Sequence, residues 1–442
     1  MISAQRRLEL IDALRRGTVP QRSLDVLAIG LGRFEAAIDE ELERVAKGGA
    51  GFKAVRGEYG SGKTFFARWL QERAKKAGFV TAEVQISEME TPLHRLETVY
   101  RRLMERLSTP DQPSGAFRSI VDLWVYTLEQ DVLAGGSVAE SDEAELARRV
   151  DELMEKRLAR VSQQAPMFAA ALRGYRSALA QNDAPTAEAV LAWVAGQPNV
   201  AAASRKVAGV KGEIDHFGAL SFLQGLLTLL RDSGQSGLVL VLDEVETLQR
   251  VRGDVRDKGL NALRQLMDEV DGGRFPGLYL VLTGTPAFYD GPQGVQRLPP
   301  LAQRVQADFT MDARFDNPRA PQIRLTAFDM EKLGALGCRV RDLFLEGRPN
   351  AERLRQRCDD AYVGDLARAL TGELGGKVGV APRLFLRKLV DVLDRVDQFE
   401  EFLPRRDYAL KLEPKDLDRV EAAAVRRESV EDIELELPGE SG

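Results

Sequence analysis

Apolar and polar residues recur along the chain with two different periods, which predict a series of helices and short strands. Residues 6–16 and 34–46 carry apolar side chains at helical spacing and predict two amino-terminal helices. Residues 52–56 predict a strand, residues 64–77 an amphipathic helix and residues 79–86 a second strand. A strand, a glycine-rich turn, a helix and a strand in this order indicate a βαβ unit and hence a parallel sheet.

Three further strands are predicted at residues 238–242, 278–283 and 322–326. The run at residues 238–242 is apolar without interruption, which is typical of a parallel strand buried on both faces. We therefore expect an α/β fold with a parallel five-stranded sheet at its centre.

The stretch between the second and third predicted strands is too long for an ordinary crossover and contains only helical patterns. These patterns lie at residues 93–107, 123–133, 143–161, 167–181 and 186–195. We predict an all-helical insertion over residues 93–216, whose acidic stretch at residues 140–155 forms a solvated face.

A second helical region follows the last strand and predicts a small lid of three helices, at residues 331–345, 351–371 and 382–396. The resulting organisation assigns each part of the chain to one unit. The units are amino-terminal helices (1–50), an α/β core (51–92 and 217–327), the insertion (93–216), the lid (328–400) and a carboxy-terminal extension with an acidic tail (401–442).

The composition is that of a soluble globular protein, with 44% hydrophobic and 29% charged residues. A net charge of −6 gives no general basic excess of the kind that marks many nucleic-acid-binding proteins, but it leaves a local basic patch open. The amino terminus lacks the apolar run of a signal peptide, and no stretch reaches the ~20 apolar residues that span a bilayer. We therefore predict a cytoplasmic protein that does not associate with membranes.

The few cysteines and histidines do not indicate a metal or redox site. Cys338 and Cys358 are interpreted as small apolar side chains in a reducing cytosol rather than as a redox pair. His94 and His216 lie far apart and have no other ligand nearby at zinc-binding spacing.

The strongest chemical signal is a glycine-rich sequence between the first predicted strand and the helix that follows it. It matches the P-loop pattern G-x-x-x-x-G-K-[ST] at every position, with Gly57, Glu58, Tyr59, Gly60, Ser61, Gly62, Lys63 and Thr64. The glycines let successive backbone N–H groups turn toward phosphates, and the helix start adds positive potential. Lys63 is expected to reach the β- and γ-phosphates of ATP, and the Thr64 hydroxyl to bind Mg²⁺.

A second signal is the apolar strand at residues 238–242, which ends in the acidic pair Asp243 and Glu244. This is the Walker B arrangement. Asp243 is expected to hold Mg²⁺, and Glu244 to polarise the attacking water as a general base. An acidic residue directly after Asp243 favours hydrolysis of ATP over binding alone.

The next strand ends in Thr283, followed by Gly284 and Thr285. A polar residue at the carboxyl end of a strand beside the Walker B strand can hydrogen-bond the γ-phosphate or the attacking water. Thr283 is the first candidate for this role, Thr285 is the competing one, and a turn-favouring Thr-Gly pair is the alternative.

The order of these motifs resembles the AAA+ superfamily, and within it the origin-recognition and Cdc6-like initiator ATPases, over residues 25–400 apart from the insertion. The resemblance implies that Thr283 is sensor 1. It implies that Arg304 is an arginine finger acting on the nucleotide of a neighbouring copy, with Arg297 or a plain surface arginine as alternatives. Arg383, at the start of the third lid helix, resembles the sensor 2 arginine of AAA+ lids.

A narrower resemblance is to the bacterial ATP-binding family of BREX phage-defence systems. It rests on residues 15–20, on residues 29–33 and on the P-loop continued to Phe65. The resemblance implies that Val19, Pro20 and Ile29 frame the adenine, and the alternative is a capped amphipathic helix followed by a turn.

One feature departs from the initiator ATPases, which carry a winged-helix DNA-binding domain after the lid. The residues that follow Val396 are too few for a full winged helix, and residues 408–412 and 416–427 are expected to form a strand and a helix at most. Direct duplex binding by that route is therefore left open.

These observations predict an ATPase that uses ATP and Mg²⁺, forms a homo-oligomer and acts as a loader or remodelling switch in a defence complex, with DNA and defence-system proteins as further candidate partners. Two alternatives differ in class. One is a nucleotide-gated signalling scaffold with little turnover, and the other is a small-molecule kinase, which the Asp243–Glu244 pair and Arg383 disfavour.

Overall fold

Five strands form one parallel sheet in the order β2-β3-β4-β1-β5. The computed structural model describes residues 2–136, 142–373 and 382–409. One strand, β4, lies between the strand that leads into the P-loop and the strand that ends in Asp243. The strands are β1 (Gly51–Arg56), β2 (Phe79–Gln85), β3 (Gly237–Asp243), β4 (Leu278–Gly284) and β5 (Gln322–Arg324).

Helices surround this sheet and continue beyond it. They are α1 (Ala4–Arg15), α2 (Gly32–Ala46), α3 (Lys63–Lys76), α4 (Leu96–Arg106), α5 (Phe117–Ala134), α6 (Glu143–Gln164), α7 (Pro166–Ala180), α8 (Ala184–Val194), α9 (Ala202–Val207), α10 (His216–Asp232), α11 (Gly253–Asp271), α12 (Pro286–Asp290), α13 (Pro299–Arg304), α14 (Met330–Leu345), α15 (Ala351–Arg357), α16 (Asp360–Glu373), α17 (Pro382–Gln398) and α18 (Pro404–Asp407).

Strand β3, an interior strand of the sheet, is buried on both faces, as its apolar run predicts. Val239 and Val241 belong to a core cluster with α2 and α3 on one face. Leu238, Leu240 and Leu242 point to the other face, because successive side chains of a strand alternate, and join a larger cluster with the insertion helices and α11. The sheet is therefore the middle layer of three, and the predicted α/β fold with a parallel five-stranded sheet is confirmed.

The described residues of the insertion form helices apart from a single β-bridge of Ser108 to Thr81, and these helices belong to the same core as the sheet. Helix α4 packs against β2, and α10 packs against β3. The acidic stretch predicted to be solvated lies on α6, where Glu145 pairs with Arg148 and Arg149 on the exposed face. Helices α9, α10 and α11 were not predicted from the sequence.

The prediction of one helix over residues 351–371 in the lid is wrong, because α15 ends at Arg357 and α16 begins at Asp360. The chain leaves helical geometry at Cys358, with φ −116° and ψ 56°. The Asp359 carboxylate then accepts the Tyr362 backbone N–H at 2.7 Å, which caps the start of α16. The described lid thus contains α14 to α17 rather than three helices.

The amino-terminal helix α1 packs on the lid. Its buried Leu10 and Leu14 belong to the lid's core cluster, and Arg15 pairs with Asp394 of α17 through contacts of 2.7 and 2.8 Å. Helix α2 packs instead on the sheet. The first fifty residues are therefore divided between the lid and the sheet.

The segments predicted after the lid lie almost entirely outside the described residues, which end at position 409. This applies to residues 410–412, to residues 416–427 and to the acidic tail. Across the described ranges, the helices are all too short or too polar to cross a membrane.

Candidate nucleotide-binding site

The P-loop turns between β1 and α3, where the sequence analysis places it. Gly62 has a φ of 91° and lies directly before Lys63, the first residue of α3. A Cβ atom on Gly57 would lie 2.2 Å from the Ser61 hydroxyl oxygen, so that position has room for hydrogen only. The glycines thus allow a closed loop at the amino terminus of a 14-residue helix.

The Lys63 side chain folds back over this loop. Its Nζ donates to the Gly57 carbonyl at 2.9 Å and lies 5.0 Å from the centre of the Tyr59 ring. The side chain is only 8% exposed. An ammonium group is therefore held directly over the loop that would surround phosphates.

The interior of the loop fits a phosphate group. The buried Ser61 hydroxyl has no hydrogen-bond partner among the described residues, and such buried polar atoms ordinarily have one. A helix amino terminus and backbone N–H groups favour an anion at the same place. The orphaned hydroxyl, the glycine cradle and the ammonium group together suit a nucleotide phosphate.

Asp243 is the centre of the second half of the site. It is 5% exposed and accepts hydrogen bonds from the Thr64 hydroxyl, at 3.2 Å, and from the Thr283 hydroxyl. Burial raises the pKa of the Asp243 carboxyl above its ordinary value, and the hydrogen bond from Thr283 acts in the opposite direction. A carboxylate beside a hydroxyl offers the hard oxygen ligands that Mg²⁺ prefers, so the residues fit the predicted metal.

Glu244 leaves the strand in an unusual conformation, with φ 59° and ψ 44° in the left-handed region. A non-glycine residue there costs on the order of 1–3 kcal/mol, and such strain concentrates at functional sites. Its backbone N–H donates to the Thr283 hydroxyl at 3.2 Å, and its carboxylate accepts from Gln85 Nε2 at 2.9 Å. The strained turn brings Glu244 to the end of β2, beside Asp243.

Of the two threonines considered for the sensor position, Thr283 is the one in the site. It bonds both to Asp243 and to the Glu244 backbone. Thr285 caps α12 instead, and accepts the Phe288 backbone N–H at 3.4 Å.

Two residues of the site were missed by the sequence analysis. Gln85 ends β2 and reaches Glu244 because β2 pairs with β3 in parallel. Glu246 is 4% exposed, and its Oε1 lies 3.8 Å from Lys63 Nζ. Burial raises the pKa of Glu246 to about 7, although the nearby Lys63 lowers it. The available signal for Glu246 was an acid three positions after Asp243, in a segment that also contains Val245 and Leu248.

The adenine-framing predictions fall in two places. Ile29 lines a cleft between the sheet and the lid, next to the P-loop. Val19 offers its carbonyl to Arg68 of α3 at 2.9 Å, and Pro20 beside it is buried. The cleft is lined by Ile29 together with Ser61, Gly62, Phe65, Leu325 and Phe328.

The arginines predicted as finger and sensor 2 lie on elements other than those that carry the P-loop and the acidic pair. Arg304, the last residue of α13, pairs with Asp268 and lies 3.9 Å from Asp271, and both carboxylates belong to α11. Arg297 also pairs with α11, through Asp257. Arg383 is exposed at the start of α17. A Cβ atom placed on Gly17 would lie 3.8 Å from the Arg383 Cγ atom, so this side chain lies close to Gly17.

The sheet order, the P-loop after β1 and the acidic pair after β3 define a P-loop nucleotide-binding fold. Comparison with protein families gives the particular family. The chain belongs to the BREX system ATP-binding protein BrxC/D family, whose model matches residues 2–412. The predicted membership of the BREX ATP-binding family is thereby confirmed.

A search of curated proteins gives no match to this chain. Among solved structures, the chain is similar to the Aeropyrum pernix ORC2 protein in its ADPNP–ADP complexes. The sequence identity is 13%, the match covers 82% of this chain and 68% of that chain, and the TM-score is 0.35.

Proposed function

We propose that the protein is a magnesium-dependent ATPase, with Lys63 and the P-loop binding the phosphates and Glu244 acting as general base. The observation that carries the proposal is the convergence of Thr64 and Thr283 on Asp243, with Glu244 beside them. These side chains come from the three elements that a nucleotide phosphate would touch.

Each residue has a distinct part in the proposed reaction. Thr64 and Asp243 would hold Mg²⁺, which when bound would supply positive charge to the phosphate oxygens. Lys63 neutralises charge on the β- and γ-phosphates. Glu244 accepts a proton from water as the water oxygen attacks the γ-phosphorus and the bond to ADP breaks. Thr283 orients the Glu244 backbone and the Asp243 carboxylate.

We further propose that the ATP cycle drives a loader or remodelling switch in a BREX-type defence complex acting on DNA, in an assembly of several copies. Family membership supports the defence context. The arginines on α13 and at the start of α17 are the proposed finger and sensor 2.

A specific contact favours the second candidate, a nucleotide-gated scaffold with little turnover. The Glu244 carboxylate is held by Gln85, so the general base has a partner other than water. Stimulation by DNA or by self-association separates the two candidates, because a scaffold should show little of either. A mass measurement of the nucleotide-bound protein with and without DNA reports the assembly directly.

The test of the ATPase uses two variants, one expected to impair ATP binding and the other to impair turnover alone. Lys63→Ala removes the charge that meets the phosphates, so ATP affinity in titration calorimetry falls by at least roughly tenfold, about 1.4 kcal/mol. Glu244→Gln keeps the size and hydrogen bonding of the side chain but removes the base, so ATP still binds while turnover falls by about 10²-fold or more. Unchanged affinity in Lys63→Ala contradicts the P-loop assignment, and parent-level turnover in Glu244→Gln contradicts the general base.

A further inference from the structure

Glu246 is a buried carboxylate for which the proposed reaction has no use. Its two carboxylate oxygens are buried, and neither has a hydrogen-bond partner among the described residues. Its Oε1 lies 3.8 Å from Lys63 Nζ. Buried acids are rarely left without hydrogen bonds, so the Lys63 ammonium is the feature of the structure that compensates this charge.

The backbone explains why Glu246 reaches the P-loop. The left-handed conformation of Glu244 follows β3 and precedes the 3-10 helix Val245–Gln249. Glu246 lies in the first turn of this helix. Glu246 thereby points back toward the phosphate cradle instead of into solvent.

The charged and titratable groups around Glu246 come from every element packed against it. Lys63 is the nearby cation, and Asp243 and Glu244 are acids that precede Glu246 in the chain. Two tyrosines also face it, the half-buried Tyr59 of the P-loop and the buried Tyr289 of α12. Arg256 of α11 donates hydrogen bonds to the backbone carbonyls of Leu248, Gln249 and Val251. The protonation state of the Glu246 carboxyl therefore depends mainly on the position of the Lys63 ammonium.

We propose that Glu246 is a positioning residue that holds Lys63 as its counter-ion before nucleotide binds, and that nucleotide phosphates take Lys63 over, so that Glu246 takes up a proton. The proposal rests on the proposed function, because it requires Lys63 to meet the phosphates. In this proposal Glu246 contacts neither the nucleotide nor the metal, and it acts through Lys63.

The direction of the pH dependence follows from linkage. Burial raises the pKa of Glu246 to about 7 while Lys63 lies beside it. Loss of that cation and the arrival of phosphate charge raise this pKa further in the complex. The complex then binds more protons than the free protein, so nucleotide affinity falls as the pH rises above about 7, by at most about tenfold per pH unit.

The experiment is calorimetric titration with magnesium–ADP, which presents a β-phosphate to Lys63 and is not hydrolysed. Titrations between about pH 7 and pH 9, in buffers of different ionisation enthalpy, give the number of protons taken up. The second pKa of a phosphate group is about 6, so the nucleotide's own titration lies below the pH range of the experiment. Wild-type protein is expected to take up protons, and Glu246→Gln to take up none and to bind roughly tenfold more tightly near pH 8.5.

Glu269→Gln is the matched control, because it makes the same chemical change on an acid of α11 whose partner is Arg274. It should keep the proton uptake. The inference is overturned if the wild-type protein takes up no protons, a result that does not depend on the folding of any variant. It is also overturned if Glu246→Gln takes up as many protons as the wild type. If Lys63→Ala binds magnesium–ADP as tightly as the wild type, the proposed function fails instead.

Discussion

Asp243 receives hydroxyl donors from two different elements, Thr64 at the start of α3 and Thr283 near the end of β4. The parallel sheet brings them together, because the carboxyl ends of neighbouring parallel strands meet at one edge. Thr283 has a second contact, the Glu244 backbone N–H. One hydroxyl thus connects the proposed metal ligand to the backbone of the proposed base.

Thr283→Val tests this connection, because valine keeps the shape of threonine and removes the hydroxyl. Asp243 loses a donor and the Glu244 N–H loses its acceptor, so we expect the free energy of unfolding to fall by about 1–3 kcal/mol. Turnover should fall by roughly tenfold or more, which corresponds to about 1.4 kcal/mol of transition-state stabilisation. Urea unfolding and an ATPase assay measure the two effects.

Thr285→Val is the control for that experiment. Thr285 is also buried, but its hydroxyl caps α12 by accepting the Phe288 backbone N–H. The control should lose about 1 kcal/mol of stability, as expected for a lost helix cap, and keep its turnover. Equal loss of turnover in both variants would argue against the sensor role of Thr283.

Among the elements, α1 was predicted as a helix, but its position on the lid was not anticipated. Its apolar positions predict a helix, but helical periodicity does not say which surface the apolar face will cover. In the structure α1 packs on α14 and α17, and a bidentate contact of Arg15 with Asp394 fixes its end.

Leu10→Ala tests whether α1 stabilises the lid. Leu10 is 1% exposed in the lid's core cluster, so its truncation should lower the free energy of unfolding by about 2–5 kcal/mol. Leu8 lies on the same helix but is 55% exposed, so Leu8→Ala should change stability by no more than about 0.5 kcal/mol. Urea unfolding of the pair measures the difference, and similar values for both would show that α1 contributes little to the lid core.

Prediction from sequence succeeded where a local rule determines the structure and failed where tertiary contacts do. The strands and the P-loop follow from apolar runs and glycines, and the observed bounds of β3 differ from the prediction by one residue at each end. The break at Cys358 was missed because Asp359 caps a helix inside an otherwise helical pattern. Gln85 and Glu246 were missed because their roles depend on sheet pairing and on the turn at Glu244.

At the scale of the whole molecule, the site lies where the sheet layer meets the lid. Phe65 of α3 and Phe328 before α14 both pack against the lid's core cluster. The cleft next to the P-loop lies between these two residues and Ile29. A nucleotide in this cleft would contact both bodies, so its binding and release are expected to change how the lid packs on the sheet.

Assembly is tested through Arg304, which in the single chain is bound to Asp268 of its own α11 and is a quarter exposed. To act on the nucleotide of a neighbouring copy, the guanidinium must exchange this carboxylate for phosphate. If it does so, Arg304→Ala should bind ATP normally and lose most turnover. A plain surface ion pair is worth about 0–1 kcal/mol, and its loss alone should leave turnover unchanged.

Mixing Arg304→Ala with Lys63→Ala gives the decisive result, measured as ATPase activity against total protein concentration. In a mixed assembly, a Lys63→Ala copy offers its intact Arg304 to the intact P-loop of an Arg304→Ala copy, so some activity should return. Only a minority of interfaces combine both intact halves, so the recovery should be partial and should rise with concentration. Arg297→Ala, which removes the exposed pair with Asp257, is the control and should keep its activity without mixing. Loss of activity in Arg304→Ala with no recovery on mixing would assign Arg304 to its own copy's site or to the fold, and would favour a nucleotide switch that works as a single chain.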